Sequence, residues 1–337
     1  MIPDPYISVV IPTYNRADSL LCTLYGLDRQ SYPKQLFEVI VVNDGSTDAT
    51  ASVLQRIADE TALNLKAVQQ NNSGPGMARN NGAKEATGEI ILYIDDDIEP
   101  DALLLETHAA HHKQNDNVVV IGPMSPDPAL AKSEPMWIAW EHAMLQKSYA
   151  NMVNGVWPVI GPNLFYSGNA SLRRDQLLAI GGFDTSFKRQ EDVEMAVRLH
   201  AEFKVEFRFD LSADGVHRPK RTFESWYRVP YSYGQYDVIR YKRGDLSPKS
   251  FFASFQRHGI TQFLGNVVLS MPFLSTTLCL FMRCFAHIAW TLGSRAVSLH
   301  VLSAVYNIRY MEGAAAEIGQ RGEVIRIMRQ RPIQLQQ

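Results

Sequence analysis

The chain contains few cysteines, and these cysteines do not form a motif. The three cysteines among 337 residues are Cys22, Cys279 and Cys284. Their spacing matches neither a disulfide framework nor a metal-binding cysteine motif. The start of the chain, residues 1–5, also lacks the basic and apolar segments of a signal peptide. We therefore expect synthesis and residence in the cytoplasm.

Two further absences narrow the class of protein. No Walker-type Gly-Lys-Ser/Thr loop is present, which excludes a P-loop nucleotide site. No internal repeat or low-complexity segment is visible either. The chain is 46% hydrophobic and 20% charged, a composition typical of a globular protein with a sizeable core. Its length suffices for one large domain or two ordinary ones.

The net charge of −2 hides an asymmetry between the two parts of the chain. Residues 1–217 carry 17 Lys+Arg and 29 Asp+Glu, a balance of −12, whereas residues 218–337 carry 16 and 6, a balance of +10. An acidic first part suits a metal site. A basic second part suits an anionic partner such as a membrane surface or a lipid diphosphate. The alternative is a basic helical region that simply packs against an acidic domain.

Short β-branched runs alternate with helical patterns in the first 125 residues. We expect strands at 7–11, 37–42, 65–69, 90–94 and 118–121, and helices at 18–29, 47–61, 75–86 and 101–114. Near-continuous apolar strands that alternate with helices predict a mostly parallel, doubly wound α/β sheet flanked by helices. The predicted domains are 1–223, which contains this sheet, and 224–337, which is mainly helical. Residues 122–160, rich in Pro, Trp and Gly, are expected to be irregular and to form a loop or flap over the site.

Three polar clusters fall at the ends of predicted strands, where ligands of such sheets bind. They are residues 12–16, 43–48 and 95–97. The last is Asp95-Asp96-Asp97, whose adjacent carboxylates repel one another and are costly to desolvate. A Mg²⁺ or Mn²⁺ ion would offset that repulsion. Taken alone, the run is explained equally by a solvated acidic turn.

Four other residues are candidates for binding or catalysis. Asp44 could accept bonds from a ribose or base, or could simply cap a turn. Arg79 lies near the start of a predicted helix that contains glycine, and such a helix start suits a diphosphate. The alternative is a glycine turn that leads into an ordinary amphipathic helix. Asp192 starts a predicted helix, so we expect a lowered pKa and an ionised carboxylate that could act as a general base. His217 could be a second metal ligand beside Asp97, although a lone His is usually structural.

Four segments in this order resemble the family 2 glycosyltransferases, which use the GT-A fold. The segments are Val9–Arg16, Val41–Asp48, Ala78–Asp97, and Gly182–Asp184 with Glu191-Asp192. Each motif is weak alone, but their order and spacing are specific, and the resemblance covers roughly residues 6–217. It implies a GT-A, Rossmann-like sheet and an inverting transfer from a nucleotide-diphosphate sugar that depends on Mn²⁺ or Mg²⁺.

The resemblance also implies roles for individual residues. According to the resemblance, the donor site would contain six residues: Pro12, Tyr14, Asp44, Arg79, Asp95 and Asp96. Asp97 would bind the metal, with His217 as a looser match to a metal or diphosphate contact. Asp192 would be the catalytic base, and Glu191 beside it would contact the acceptor or orient the base. The Gln-x-x-Arg-Trp signature of processive synthases is missing after Asp192, so we expect a single-sugar transferase.

The second part of the chain carries a long uncharged stretch. Residues 259–282 are 24 consecutive residues without a charged side chain, and Asn266 and Pro272 interrupt their apolar character. This length suffices for a membrane span, while the aromatic and basic run at 226–243 suits an interfacial helix. A surface-bound region, a true span and an ordinary soluble helical subdomain all remain open. We expect membrane contact through 226–310 at the cytoplasmic face of the inner (plasma) membrane, and no nucleic-acid partner.

These patterns together favour a metal-dependent glycosyltransferase with a saccharide or lipid-linked acceptor in cell-surface glycan synthesis. One alternative is a nucleotidyltransferase, which would carry a glycine-rich loop with a basic residue after the first strand, and residues 13–16 lack it. Another is a non-catalytic nucleotide-sugar-binding protein, which the presence of both Asp97 and Asp192 argues against.

Overall fold

The computed structural model describes residues 3–157, 160–255 and 259–329. Residues 158–159 of the predicted loop and 256–258 of the predicted membrane-contacting region lie outside this part. Backbone contacts divide the chain into two compact units. Unit 1 comprises Met1–Lys132 and Met144–Lys220, and unit 2 comprises Ser133–Ala143 and Arg221–Gln337. The domain boundary at 223/224 stays a prediction.

The described part of unit 1 is built from ten strands and six helices. The strands are β1 (Ile7–Thr13), β2 (Phe37–Asn43), β3 (Leu65–Gln69), β4 (Ile90–Ile94), β5 (Ile98–Pro100), β6 (Val118–Ile121), β7 (Met124–Pro126), β8 (Asn169–Arg173), β9 (Glu206–Phe209) and β10 (Gly215–His217). The helices are α1 (Ala17–Asp28), α2 (Thr50–Glu60), α3 (Pro75–Glu85), α4 (Leu104–Gln114), α6 (Arg174–Ala179) and α7 (Glu191–Phe203), and α5 (Met136–Val153) belongs partly to each unit.

Seven strands form the main sheet, in the order β3-β2-β1-β4-β8-β6-β9. All neighbours are parallel except β8, which runs antiparallel to both β4 and β6. The central strands are buried on both faces, because every residue of β2 and β4 is buried. The predicted α/β architecture with a mostly parallel sheet is therefore confirmed. β8 was not expected as a strand, since its sequence Asn-Ala-Ser-Leu-Arg has no β-branched residue.

A second sheet of three short strands lies beyond the end of β4, in the order β5-β10-β7. β5 and β10 are antiparallel and pair Ile98 with His217. The backbone N–H of Arg218 also donates to the carbonyl of Asp97 over 2.9 Å. This small sheet brings residue 217 beside the acidic turn, although the two are 120 residues apart in sequence.

The expectation of irregular structure over residues 122–160 is wrong in the middle of this segment. Met136–Val153 forms the 18-residue helix α5. The prolines of the segment lie before this helix or after it, and Met136–Val153 itself contains neither Pro nor Gly. These prolines therefore bound the helix instead of breaking it.

The described part of unit 2 is helical, which confirms the prediction of a helical C-terminal region. Its helices after α5 are α8 (Phe223–Arg243), α9 (Pro248–Phe255), α10 (Gly259–Ser270), α11 (Ser275–Thr291), α12 (Arg295–Ile318) and α13 (Arg321–Arg329). α8 packs on α12 with little space between the backbones. A Cβ at Gly234 would lie 2.0 Å from the Tyr310 carbonyl oxygen, and one at Gly313 would lie 1.8 Å from that of Tyr231. Glycine at both positions permits this close approach.

Candidate active site

The acidic run forms the turn that joins β4 to β5. The Asp95 N–H donates to the Gly168 carbonyl over 3.0 Å, and the Ile98 N–H donates to the Asp95 carbonyl over 3.1 Å. The three carboxylates have different surroundings. Asp96 and Asp97 are buried, whereas the side chain of Asp95 is 37% exposed. Unequal burial gives the three residues unequal chemical roles.

The side chain of Arg16 places a positive charge beside this turn. Its Nη1 lies 3.0 Å from Asp96 Oδ1 and 2.5 Å from Asp97 Oδ2, and Thr13 Oγ1 donates to Asp96 Oδ2 over 2.7 Å. Burial raises the pKa of Asp96 to about 7, although Arg16 opposes the shift. Asp96 thus ties the end of β1 to the acidic turn. Only the adjacency of β1 and β4 in the sheet gives Arg16 this role.

Asp97 and His217 form a pair that could hold a divalent ion. Asp97 Oδ1 and His217 Nε2 lie 3.7 Å apart, and two donors of one ion with bonds near 2.1 Å are separated by about 3–4 Å. Among the residues that the structure describes, no third Asp, Glu, His or Cys joins them in a metal-binding group. Two protein donors still fit Mg²⁺ or Mn²⁺, because such ions commonly take further oxygens from substrate phosphates and water.

Arg79 connects the acidic turn to the start of α7. Its Nη2 donates to Asp95 Oδ1 over 2.8 Å, and its Nη1 donates to Glu191 Oε1 over 3.2 Å. The side chain is 7% exposed. Burial alone would lower its pKa, but the charges of Asp95, Glu191 and Asp192 raise it. One buried guanidinium therefore holds together two carboxylates, of Asp95 and Glu191, that lie 96 residues apart in the sequence.

The position of α7 is fixed by contacts of the turn that precedes it. Asn80, on α3, donates its Nδ2 to the Phe183 carbonyl and accepts the Phe183 N–H at Oδ1, both over 2.8 Å. Gln190 then adopts a left-handed conformation, with φ of 58°, and α7 begins at Glu191. Asn80 lies within the segment Ala78–Asp97 that carries the family resemblance, but no role was predicted for it. Its contact across 103 residues could not be read from the sequence.

Asp192 differs from its expected electrostatic state. A helix start was expected to lower its pKa, but burial and the neighbouring Glu191 raise the pKa to about 7, against the opposing charge of Arg79. Its Oδ1 accepts the Val193 N–H over 2.8 Å. The desolvation cost outweighs the helix N-terminus here. A carboxylate with a pKa close to 7 is well matched to general-base chemistry at neutral pH.

Of the predicted donor-binding residues, Pro12 lies near the end of β1, Tyr14 directly follows β1 and Asp44 directly follows β2. Asp44 is buried and accepts three hydrogen bonds, from Gln70 Nε2 over 2.7 Å and from the N–H groups of Ser73 and Gly74 over 2.7 and 2.9 Å. It thereby fixes the loop that enters α3. Tyr14 is 47% exposed and Pro12 is partly buried. Their roles toward a nucleotide stay predictions.

The sequence of this chain is similar to those of known proteins. Residues 8–168 match the family described as glycosyl transferase family 2. The poly(ribitol-phosphate) beta-N-acetylglucosaminyltransferase TarS of Staphylococcus aureus is 39% identical over 90 residues, 27% of this chain and 16% of TarS. Validoxylamine A glucosyltransferase of Streptomyces hygroscopicus subsp. jinggangensis is 33% identical over 220 residues, 58% of this chain and 52% of the relative. The chain thus spans about half or less of these relatives.

Two solved structures share the fold. A mannosyltransferase from Pyrobaculum calidifontis, solved with GDP-Man and Mn²⁺, superposes with a TM-score of 0.62 at 21% identity, over 94% of this chain and 88% of that one. TarS of S. aureus, solved with UDP-GlcNAc, gives a TM-score of 0.54 at 19% identity, over 93% and 92%. The predicted GT-A fold is confirmed.

Proposed function

Because residues 8–168 belong to glycosyl transferase family 2, we propose that this protein is an inverting, metal-dependent hexosyltransferase. Its donor is a nucleotide-diphosphate sugar, with uridine as the first nucleotide to test. Its acceptor is a hydroxyl of a saccharide or of a lipid-linked glycan in cell-surface glycan synthesis. The relatives include enzymes named for transfer to poly(ribitol-phosphate), which supports a hydroxyl-bearing polymer as the class of acceptor.

One observation carries the proposal, namely the bridge that Arg79 makes between Asp95 and Glu191. It joins the turn predicted to hold the donor to the helix start predicted to hold the base. A transferase needs both, because the donor must be bound and the acceptor hydroxyl must lose its proton at the same place. A protein that only bound a nucleotide sugar would not need the second part.

The chemistry follows from the positions of the carboxylates. Asp192 accepts the proton of the acceptor hydroxyl as that oxygen attacks the anomeric carbon from the face opposite the nucleotide, and one displacement inverts the configuration. Glu191, held by Arg79, orients Asp192 or contacts the acceptor. Asp97 and His217 would hold Mn²⁺ or Mg²⁺, which when bound offsets charge on the departing diphosphate. Asp95, partly exposed, faces the donor.

Metal binding should respond in opposite directions to two substitutions. Asp97→Asn removes a charged donor, so we expect the affinity for Mn²⁺ measured by titration calorimetry with UDP present to fall roughly tenfold or more. Arg16→Gln removes the cation that pairs with Asp97, so the affinity for Mn²⁺ without nucleotide should rise. Asp116→Asn, at an exposed site, is the control. Equal Mn²⁺ affinities for all four proteins would contradict the metal assignment.

The pH dependence of transfer should report the raised pKa of Asp192. The base acts only when ionised, so kcat/KM should rise about tenfold per pH unit below pH 7 and level off above it. An ordinary Asp, with a pKa near 4, would give a flat profile across this range. A pH–rate profile from pH 5 to 9 at saturating Mn²⁺ makes the distinction. A profile that is flat from pH 5 upward would remove Asp192 from the base role.

The cellular setting is part of the same proposal. We place the protein in the cytoplasm at the inner face of the plasma membrane, with membrane contact through residues 226–310 and without a nucleic-acid partner. A lipid-linked acceptor would be presented at that face. The absence of a processive signature after Asp192 supports transfer of a single sugar.

A donor screen tests the function as a whole. The purified chain is incubated with Mn²⁺ and with UDP- and GDP-linked sugars, and both thermal shift and release of the nucleoside diphosphate are measured. We expect one donor to raise the melting temperature and to be hydrolysed slowly without acceptor. A donor that binds but is never turned over, even with saccharide acceptors, would favour the non-catalytic binding protein. Release of pyrophosphate in a parallel incubation with UTP or GTP and a sugar 1-phosphate would favour a nucleotidyltransferase.

A further inference from the structure

Exposed apolar side chains are concentrated on one part of unit 2. Of the 17 large hydrophobic residues exposed in the described chain, ten lie between Phe263 and Val297. Six of them form what we call the α11 face: Leu280, Phe281, Phe285 and Ile288 on α11, Phe273 just before this helix and Leu292 just after it. Phe281, Phe285, Ile288 and Leu292 recur at helical spacing and so share one side of α11. The surfaces of soluble proteins rarely carry so large a continuous apolar patch without a partner.

The opposite side of α11 already has its packing partner. Cys279, Met282, Ala286 and Ala289 are buried, and α11 packs along α12. The helix is therefore apolar on both sides, with only one side used inside unit 2. The α11 face is 48–78% exposed at its six positions. Its apolar character has no explanation in the folding of unit 2.

The charge of the surrounding sequence indicates what the α11 face contacts. No Asp or Glu occurs between Asp245 and Glu312, a stretch that contains five Lys and Arg residues. An acid-free, cationic region with exposed Phe and Leu side chains complements a surface that is apolar beneath an anionic layer. We propose that the α11 face inserts into an anionic lipid bilayer with the helix lying in the plane of the membrane.

The contacts of Arg283 favour this in-plane position over a membrane span. Pro272–Thr291 is the one helix, within the described residues, that is long and apolar enough to cross a bilayer, with a mean hydropathy of 1.3. Arg283 lies near its middle, 3.9 Å above the Phe223 ring and 3.4 Å from Glu224. A span would carry this ion pair to the centre of the hydrocarbon, where charged groups are costly. An in-plane helix leaves the pair at the polar boundary.

This inference deepens the membrane contact of the proposed function, and it rests on that function only for the identity of the leaflet. It assigns the contact within residues 226–310 to one helix face. Lipid binding can be measured without any sugar transfer, so the two can fail separately.

Vesicle flotation of the full-length protein tests the inference. We expect flotation with phosphatidylglycerol-containing vesicles, and weaker flotation with phosphatidylcholine alone or at high salt. The bound fraction should fall roughly tenfold or more when three residues of the face are changed, because each buried Phe or Leu contributes on the order of 1.4 kcal/mol, a factor of about ten. The test variant is F281S/F285S/L292S, and Phe281→Glu alone is the second variant. The matched control changes three exposed apolar residues of unit 1, L103S/L130S/L211S.

Several outcomes would overturn the inference. The wild-type protein could fail to float with either vesicle, or the α11 variants could float as well as the control. Sedimentation could show a dimer that the α11 variants dissociate while no variant binds vesicles, which would assign the face to a second copy of the chain. Retention in native membranes after alkaline carbonate extraction would show a span. Donor hydrolysis that persists in the α11 variants separates all of these from a failure of the catalytic proposal.

Discussion

Replacement of Asp192 by Asn should reduce sugar transfer by about 10²- to 10⁴-fold, the range that a positioned general base contributes. Donor binding should remain within a few-fold of wild type, because Asp192 faces the acceptor in the proposed arrangement. Asp175→Asn, an acid-to-amide change on the exposed surface of α6, is the matched control. Steady-state kinetics and donor titration distinguish the two effects. Equal loss of donor binding and turnover would place Asp192 in the donor site instead.

The same variant should not lose stability at neutral or alkaline pH. An Asp in the unfolded chain has a pKa near 4, whereas burial raises that of Asp192 to about 7. Between these values the folded protein binds more protons, so stability falls as the pH rises through this window. Asn cannot ionise and avoids that cost. We expect the melting temperature of Asp192→Asn at pH 8 to equal or exceed that of wild type, and a large decrease would indicate a structural defect instead of a lost base.

Replacement of Arg79 by Met should have the largest effect on stability. It leaves Asp95 and Glu191 without their shared cation, and breaking a buried pair costs 3–5 kcal/mol. Because Asp95 is 37% exposed, we expect roughly 2–4 kcal/mol in urea unfolding. Transfer should also fall, since Glu191 and Asp192 would no longer be held beside the acidic turn. Arg79→Lys should restore part of the stability but little of the transfer, because an ammonium cannot bridge two carboxylates in the same geometry.

A surface arginine provides the control for this prediction. Arg56 pairs with Glu60 on α2, and the side chains are 54% and 46% exposed. Solvent screens such a pair, so Arg56→Met should leave the unfolding midpoint close to that of wild type. An Arg79→Met protein that is as stable as Arg56→Met and transfers sugar normally would show that the bridge is dispensable, and the observation that carries the proposed function would be lost.

Much of the fold could be predicted from local sequence. The strands at 65–69, 90–94 and 118–121 have the predicted bounds. For the strands at 90–94 and 118–121 the reason is that Ile- and Val-rich runs ended by polar residues or glycine leave little ambiguity. Among the elements that were missed, β8 and α5 have identifiable local reasons. The sequence of β8 lacks strand formers, and α5 lies within a segment whose prolines suggested irregular structure. β8 took its strand conformation from its pairing with β4 and β6, whereas the prolines around α5 bound that helix without entering it.

The candidate site divides in the same way. The sequence alone placed polar clusters at the ends of β1, β2 and β4, and their order indicated the family, because a parallel sheet gathers its strand ends at one edge. The tertiary structure decided which charged side chains form pairs. Arg16 pairs with Asp96 across 80 residues, and Arg79 meets Glu191 across 112. The raised pKa of Asp192 was decided there too, because desolvation and Coulomb energies depend on distance and burial, which local sequence does not specify.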